Sequence, residues 1–248
     1  MIATPAWPPR STLRLFVPDP LAPGARRIEG PGAHYLAGVM RAQPGDPVRL
    51  FDDATGEWLA TVAAVEKRAV TLDVAERLAP REAVPDLWLC AAPLKKGRVD
   101  WLAEKACELG VARLMPVVTR RTVVEKLKVE RLRAHMIEAA EQCGRTALPE
   151  VVEPLKLPAL LRGWPAGRAL FFADEQGGGP ASAAFAAHNG PAAILIGPEG
   201  GFDDEERASI RALPDAVPIG LGPRILRADT AAAAAVTLWM AAAGDWQG

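Results

Sequence analysis

The chain has 248 residues, of which 50% are hydrophobic and 24% charged, with a formal net charge of −1. That balance supports a buried core. No apolar run is long and charge-free enough to span a bilayer. The start, MIATPAWPPR, lacks the basic and apolar stretches of a secretory leader, so the cytoplasm is the expected compartment. The near-neutral total hides an asymmetry: residues 81–150 hold thirteen basic against ten acidic side chains, and 151–248 hold seven against eleven. An excess that small gives only weak support for a nucleic-acid partner.

Residues 1–80 read as short strands. STLRLFV (11–17), DPVRLFD (46–52), EWLATVAAVE (57–66) and AVTLDVAE (69–76) alternate apolar and polar positions between Gly-, Pro- and Asp-containing turns. A small β-barrel is expected, interrupted by one short helix in GPGAHYLAGVMR (30–41). RLAPREAVP (77–85) reads as a linker. Beyond it, apolar runs at 86–93, 111–118, 168–174, 192–198 and 216–222 alternate with helical stretches. Strands buried on both faces and spaced by helices argue for a parallel α/β sheet.

The helices carry their own stop and start signals. VDWLAEKACELG places Trp101, Leu102, Ala106 and Leu109 on one face and can end at Gly110. KVERLRAHMIEAAEQCG repeats apolar positions at Val129, Leu132, Met136, Ala139 and Cys143 and can stop at Gly144. In DDEERASIRAL, Asp203 with Glu206 three residues on has capping-box spacing, so this acidic cluster needs no chemistry. The last helix, DTAAAAAVTLWMAAAG (229–244), has almost no polar face and must be buried in its own core or against a partner. Cys90, Cys107 and Cys143 are widely spaced without a CxxC, and the chain has three histidines. No disulfide framework, zinc ribbon or other metal site is expected, only reduced buried thiols.

Two segments point to a ligand. GPEGGF places Gly197, Pro198, Glu199, Gly200 and Gly201 where a strand ends and a helix is about to begin. Glycine accepts φ > 0 and lets a ligand approach the backbone. In open α/β sheets ligands sit beyond the carboxyl ends of strands. The loop matches neither GxGxxG nor GxxxxGK[ST]. Free amides and carbonyls there suit a flat polar heterocycle, though a plain strand-to-helix turn is an equal reading. Glu199 either accepts bonds from turn amides or orients a substrate. IGLGPRILRADTAAAAA (219–235) repeats the layout, with Gly220 and Gly222 around Leu221, then Arg224 and Arg227, and Asp229 or Thr230 as a helix cap. Two such loops form two walls of one pocket, and FFADEQGGG (171–179) offers a third.

LIGPEGGF, LGPRILRADTA, EAAEQCGR, HYLAGVMRAQPGD (34–46) and KKGRVDWLAEKACELGVARLMPVVTRRTVV (95–124) together resemble the bacterial 16S ribosomal RNA uridine N3-methyltransferases of the SPOUT superfamily, in the family's order and over essentially the whole chain. The resemblance implies a PUA-like β-barrel over 1–80 for RNA docking. It implies a knotted α/β methyltransferase domain over 81–248, a homodimer, S-adenosylmethionine as cofactor, and N3 of a uridine (position 1498) of the small-subunit RNA as target. Gly197 to Gly201 match the cofactor loop, and Leu221, Gly222, Ile225, Leu226 and Arg227 match a second loop that wraps the cofactor. Thr230 also matches. Asp229 stands where the family has glutamate, which puts a direct catalytic role for it in doubt and leaves a helix-cap role open.

N3 of uracil becomes a good nucleophile only once its proton leaves, and the charge then spreads onto the flanking carbonyls. A fixed guanidinium there is stabilising. Arg227 is the leading candidate, as an oxyanion stabiliser and not a base; its structural alternative is a pair with Asp229. Glu141 is a candidate proton acceptor, with water as the alternative, and Gln142 and Arg145 are expected near the target nucleotide. His34, Arg41, Lys95, Lys96, Arg98, Arg120 and Arg121 are expected to contact the RNA, jointly supplying counterion release. A catalytically silent RNA-binding protein of the same fold and an α/β enzyme with another adenosine-type cofactor are the competing readings.

Overall fold

The computed structural model describes residues 12–95, 97–124 and 126–247, and these form two compact units. One comprises the chain to Ala83 together with Glu141–Ala147; the other comprises Val84–Ala140 and Leu148 onward. The chain thus passes from the first unit to the second, returns for seven residues, and leaves again. An organisation with one boundary near residue 80 does not anticipate that return. The opening residues, on which the reading of no leader rests, lie outside those described, as does Lys96.

The first unit is a five-stranded sheet in the order β1-β3-β4-β5-β2. Its strands are β1 (Arg14–Phe16), β2 (Gly24–Glu29), β3 (Pro47–Asp52), β4 (Gly56–Val65) and β5 (Ala69–Ala79). β1 pairs parallel with β3, and the remaining pairs are antiparallel. The inward set Val17, Leu50, Val62, Val70 and Leu72 packs with Leu36 into one core. The helix α1 (Gly30–His34) continues into a π-helical turn over Tyr35–Val39, where a single helix was expected. Two further expectations are corrected. β5 runs to Ala79, so Arg77–Ala79 is paired strand and not linker. β2 has no counterpart in the sequence reading, because only Ile28 of GARRIE is buried. Its arginines face solvent, Arg27 pairing with Glu29 and Glu66 and Arg26 with Asp19, and an edge strand with one inward residue carries no alternation to detect.

Asp52 locks the turn after β3. The residue is 1% exposed, and its carboxylate accepts bonds from the amides of Leu21 (2.7 Å) and Ala54 (2.6 Å), and from both the amide and the hydroxyl of Thr55. Burial alone would raise its pKa, but the bonds from Thr55, Leu21 and Ala54 outweigh burial and hold it below the usual carboxylate range. Asp52→Ala strands the Leu21 amide in the interior, and chemical unfolding is expected to show a loss of about 1–3 kcal/mol.

The second unit is built on an all-parallel sheet in the order β11-β13-β10-β12-β6-β7-β8. Its strands are β6 (Leu87–Ala91), β7 (Arg113–Val118), β8 (Glu150–Val151), β9 (Leu155–Lys156, paired to β7), β10 (Ala169–Ala173), β11 (Gly179–Pro180), β12 (Ala192–Ile196) and β13 (Ala216–Gly220). Every residue of β12 is buried, as expected of a strand covered on both faces. Its helices are α2 (Arg98–Glu108), α3 (Val129–Cys143, whose last residues belong to the first unit), α4 (Leu157–Arg162), α5 (Ala181–Ala186), α6 (Asp204–Arg211) and α7 (Ala228–Ala242). α4 and α6 bring Leu157, Leu160 and Ile210 against Leu170, Phe172 and Leu195. α7 packs on α2 and α5 and on β6 and β12.

Helix boundaries follow the capping signals. Asp203 caps α6, accepting the Glu206 amide at 2.8 Å while Glu206 returns a bond to the Asp203 amide at 3.2 Å. α7 departs from expectation: its N-cap is Arg227, so neither Asp229 nor Thr230 caps it. The carboxylate of Asp229 instead accepts the amide of Thr230, and it stays in the first turn, where negative charge suits the dipole. Of the three thiols expected to be buried, Cys90 and Cys107 are, and Cys143 is exposed. Burial pushes the Cys90 thiol up to about 12, which leaves it inert at neutral pH.

Candidate functional site

Because β10, β12 and β13 are neighbours and parallel, their carboxyl ends emerge at one edge of the sheet. The loops that follow them, together with the start of α7, enclose a cavity of about 490 Å³. Gly197, Pro198, Glu199, Gly200 and Gly201 form one wall; Leu221, Gly222, Arg224, Ile225 and Leu226 form a second; Asp174, Glu175, Gly177 and Gly178 form the third. The three stretches singled out by glycine content meet at one place. Arg227, Asp229 and Thr230 are not among the lining residues.

Two glycines are demanded by geometry. Gly201 has φ +67°, a left-handed conformation that favours glycine, and a Cβ there would also displace the Glu175 carboxylate of the third wall, whose Oε1 would stand 2.4 Å away. A Cβ on Gly178 would stand 2.6 Å from the backbone N and C of Ile219 in β13. Gly178→Ala must therefore push β11 off β13. Calorimetry is expected to show at least a ~10-fold loss of cofactor affinity, with about 1–3 kcal/mol of destabilisation in urea.

Loop three is fixed from below by a buried network. Asp174 Oδ1 accepts the Gln176 amide and Arg207 Nε, each at 3.0 Å, and Oδ2 accepts Arg211 Nη2 at 2.6 Å. The Asp174 side chain is 0% and that of Arg207 8% exposed. Arg207 also donates to Glu175 at 2.8 Å, and Arg211 to the carbonyl of Gly177 at 3.0 Å. Burial alone would raise the pKa of Asp174, but the bonds from Gln176, Arg211 and Arg207 overcome it and keep the carboxyl below its ordinary value. Composition alone could not have singled out Asp174 or Arg207.

Several arginines expected to face RNA are partly committed to bracing this cavity. Arg121 donates to the carbonyl of Gly200 at 2.5 Å. Arg120 pairs with Asp203 at 3.0 Å and with Glu205, while its amide donates to Glu206 Oε1 at 2.8 Å. Arg98 lies 3.4 Å from Glu199 and 3.8 Å from Asp229. The alternative pairing of Arg227 with Asp229 is thus replaced by one with Arg98. Arg227 is exposed and pairs with no carboxylate among the described residues. Lys95 is exposed as well.

The EQCGR residues belong to the other unit. Glu141 Oε1 accepts the amide of Phe16 at 3.0 Å, which ties the carboxylate to β1. Arg145 is the clearest departure. Expected beside RNA, it is 5% exposed, its Nε bonds the carbonyl of Ala147, and its own carbonyl accepts Arg14 Nη2 at 2.7 Å. Gln142 is exposed. In the same unit His34 lines a second cavity, of about 460 Å³, with Gly38, Glu66, Lys67 and Arg68. Arg41, exposed at the end of the π-helical turn, has φ +55°.

A parallel α/β domain with three glycine-bearing loops closing on one cavity at the strand ends defines a cofactor-binding domain of the SPOUT methyltransferase type. Residues 80–240 match the model of an RNA methyltransferase domain, and residues 28–75 that of an RNA methyltransferase PUA domain. The ribosomal RNA small subunit methyltransferase E of Bacillus subtilis is 30% identical over 218 residues, covering 82% of this chain and 85% of its own. The crystal structure of that enzyme from Neisseria gonorrhoeae, bound to S-adenosylmethionine, superposes with a TM-score of 0.87 at 25% identity, covering 95% of this chain and 99% of that one. A Legionella pneumophila protein solved with the same cofactor gives a TM-score of 0.83 at 29% identity, covering 94% of this chain and 99% of that one. The chain belongs to the ribosomal RNA small subunit methyltransferase E family.

Proposed function

We propose that the protein transfers a methyl group from S-adenosylmethionine to N3 of a uridine in the RNA of the small ribosomal subunit. The observation that carries this reading is the meeting of the 197–201, 221–226 and 174–178 segments around one cavity of about 490 Å³, within the size range of small-molecule sites. The lining suits the cofactor. The amides of Gly222, Arg224, Ile225 and Leu226 bond no other described residue and are free to take a nucleoside and an amino acid, while Ile196, Phe202, Ile219 and Leu221 supply apolar wall for a flat base.

When bound, S-adenosylmethionine supplies a methyl carbon activated by positive sulfur, so the chain's task is alignment. Gly197–Gly201 and Leu221–Leu226 hold the donor. Arg227, one residue past the cavity wall and without a carboxylate partner among the described residues, offers a permanently charged guanidinium to the carbonyl oxygens flanking N3 as the N3 proton leaves. The proton goes to solvent, since Glu141 is engaged at β1. In the first unit His34, Lys67 and Arg68 surround a cavity and Arg41 adds charge for RNA; in the second, Lys95 and the exposed faces of Arg120 and Arg121 offer further cations. Cytoplasmic location, a knotted path through the second loop, and a homodimer covering the exposed Leu238 of α7 complete the reading.

The test is tritium transfer from labelled S-adenosylmethionine to small subunits lacking the modification, with the product nucleoside identified by mass spectrometry. Cofactor binding in calorimetry without transfer to ribosomal RNA overturns the reading in favour of the silent RNA-binding one. Failure to bind the cofactor overturns it as well and calls for calorimetry with other adenosine-type ligands.

A further inference from the structure

Arg98 opens α2, and the start of that helix is firmly held. Gly97 precedes it with φ +90°, and the Gly97 amide donates to Asp100 at 3.3 Å. Asp100 is 6% exposed and pairs with Arg131 of α3, so the first turn of α2 is tied to a second helix. From this fixed base the Arg98 guanidinium reaches toward two carboxylates. Nη1 stands 3.4 Å from Glu199 in the loop after β12, and Nε stands 3.8 Å from Asp229, two residues past the loop after β13. Arg98 is 36% exposed, Glu199 47% and Asp229 17%. Either pair alone, at such distances and exposures, is a weak contact. Their joint placement is what matters: a single cation at the start of a held helix faces Glu199 of the first cavity wall and Asp229 in the first turn of α7, just past the second wall.

We propose that Arg98 is a positioning residue for the cofactor loops: it holds the 197–201 and 221–227 segments at the separation the cofactor requires, and gripping RNA is not its main role. The inference rests on the cofactor reading above. Its physical basis is preorganisation. The second loop makes few backbone bonds of its own, so ordering it against the first is a cost met at binding unless something has already fixed it.

The experiment is calorimetry of the full chain with S-adenosylmethionine and, separately, with its demethylated product S-adenosylhomocysteine, beside a salt titration of binding to a small-subunit RNA fragment. Arg98→Ala is expected to weaken both cofactor forms by the same factor, about five- to tenfold, because loop order and not ligand charge is lost. Arg98→Lys is expected to recover part of the affinity, a lysine ammonium being able to face only one carboxylate well. Combining Arg98→Ala with Asp229→Asn is expected to cost less than the sum of the two, since both remove the same tie. The RNA salt slope is expected to stay unchanged. Unaltered cofactor affinity with a slope lowered by about one would make Arg98 a phosphate contact and overturn the proposal. A loss confined to the sulfonium form would do the same, by showing that charge alone is felt. Should Arg98→Ala fail to fold, Arg98→Lys and the Glu199→Gln/Asp229→Asn double variant carry the same comparison. A wild-type chain that binds neither cofactor form would instead sink the cofactor reading and leave this one without its premise.

Discussion

Arg227→Ala is expected to reduce single-turnover methyl transfer by about two to three orders of magnitude, the loss typical of removing one donor to a developing oxyanion. Cofactor affinity should stay within about twofold, because Arg227 is not among the residues lining the cavity and uniform binding is not what it supplies. The residue suits this role because no carboxylate among the described residues neutralises it, while its neighbour Asp229 is drawn toward Arg98. Lysine at 227 should restore only a small part of the rate, since a point charge does not span two carbonyl oxygens as a planar fork does. Equal losses in cofactor affinity and in rate would assign Arg227 to the cofactor loop instead.

Asp174→Ala is expected to give the largest change in stability, about 3 kcal/mol in urea at pH 7, at the lower end of what breaking a buried charge network costs. Arg207, 8% exposed, would keep Glu175 at 2.8 Å and Asp204 at 3.2 Å but lose the acceptor at its Nε. The pH dependence has a defined sign. A carboxyl whose folded pKa is depressed stabilises the fold above its unfolded value, near 3.9 for aspartate, and that contribution disappears as pH falls through the folded value. The gap between the two proteins should therefore narrow below about pH 4. A gap that widens on acidification would mean that Asp174 is protonated in the native protein. Cofactor affinity should fall with stability, because Asp174 and the residues it orders form the third wall of the cavity.

Elements of this fold differ in how legible they are in the sequence. The strands of the parallel sheet were readable because burial on both faces writes an unbroken apolar run, as in AAILI. The ends of α2, α3 and α6 were readable because Gly110, Gly144 and the Asp203–Glu206 pair are local signals. The cavity was readable because glycine is costly in an element yet required where Gly201 turns and Gly178 passes β13. The partners of the arginines were not. Arg98 meets Glu199 and Asp229, Arg121 meets Gly200 and Arg120 meets Asp203, all far away along the chain. A basic side chain in isolation reads as solvated charge, and only the closure of the sheet decides which carboxylate it finds. The return of residues 141–147 to the first unit is illegible for a related reason: the amphipathic period of α3 continues to its end while its last turn belongs to the other unit.

That excursion of Glu141–Ala147 bears on how the molecule is inherited and handled. A piece ending at Ala83 would leave the Arg14 side chain without the Arg145 carbonyl and the Phe16 amide without Glu141. A piece beginning at Val84 would carry Glu141–Ala147 away from the partners they fold against. Neither half is a cassette that recombination could lift out by a single cut. Exchange between related genes should succeed only when both stretches travel together.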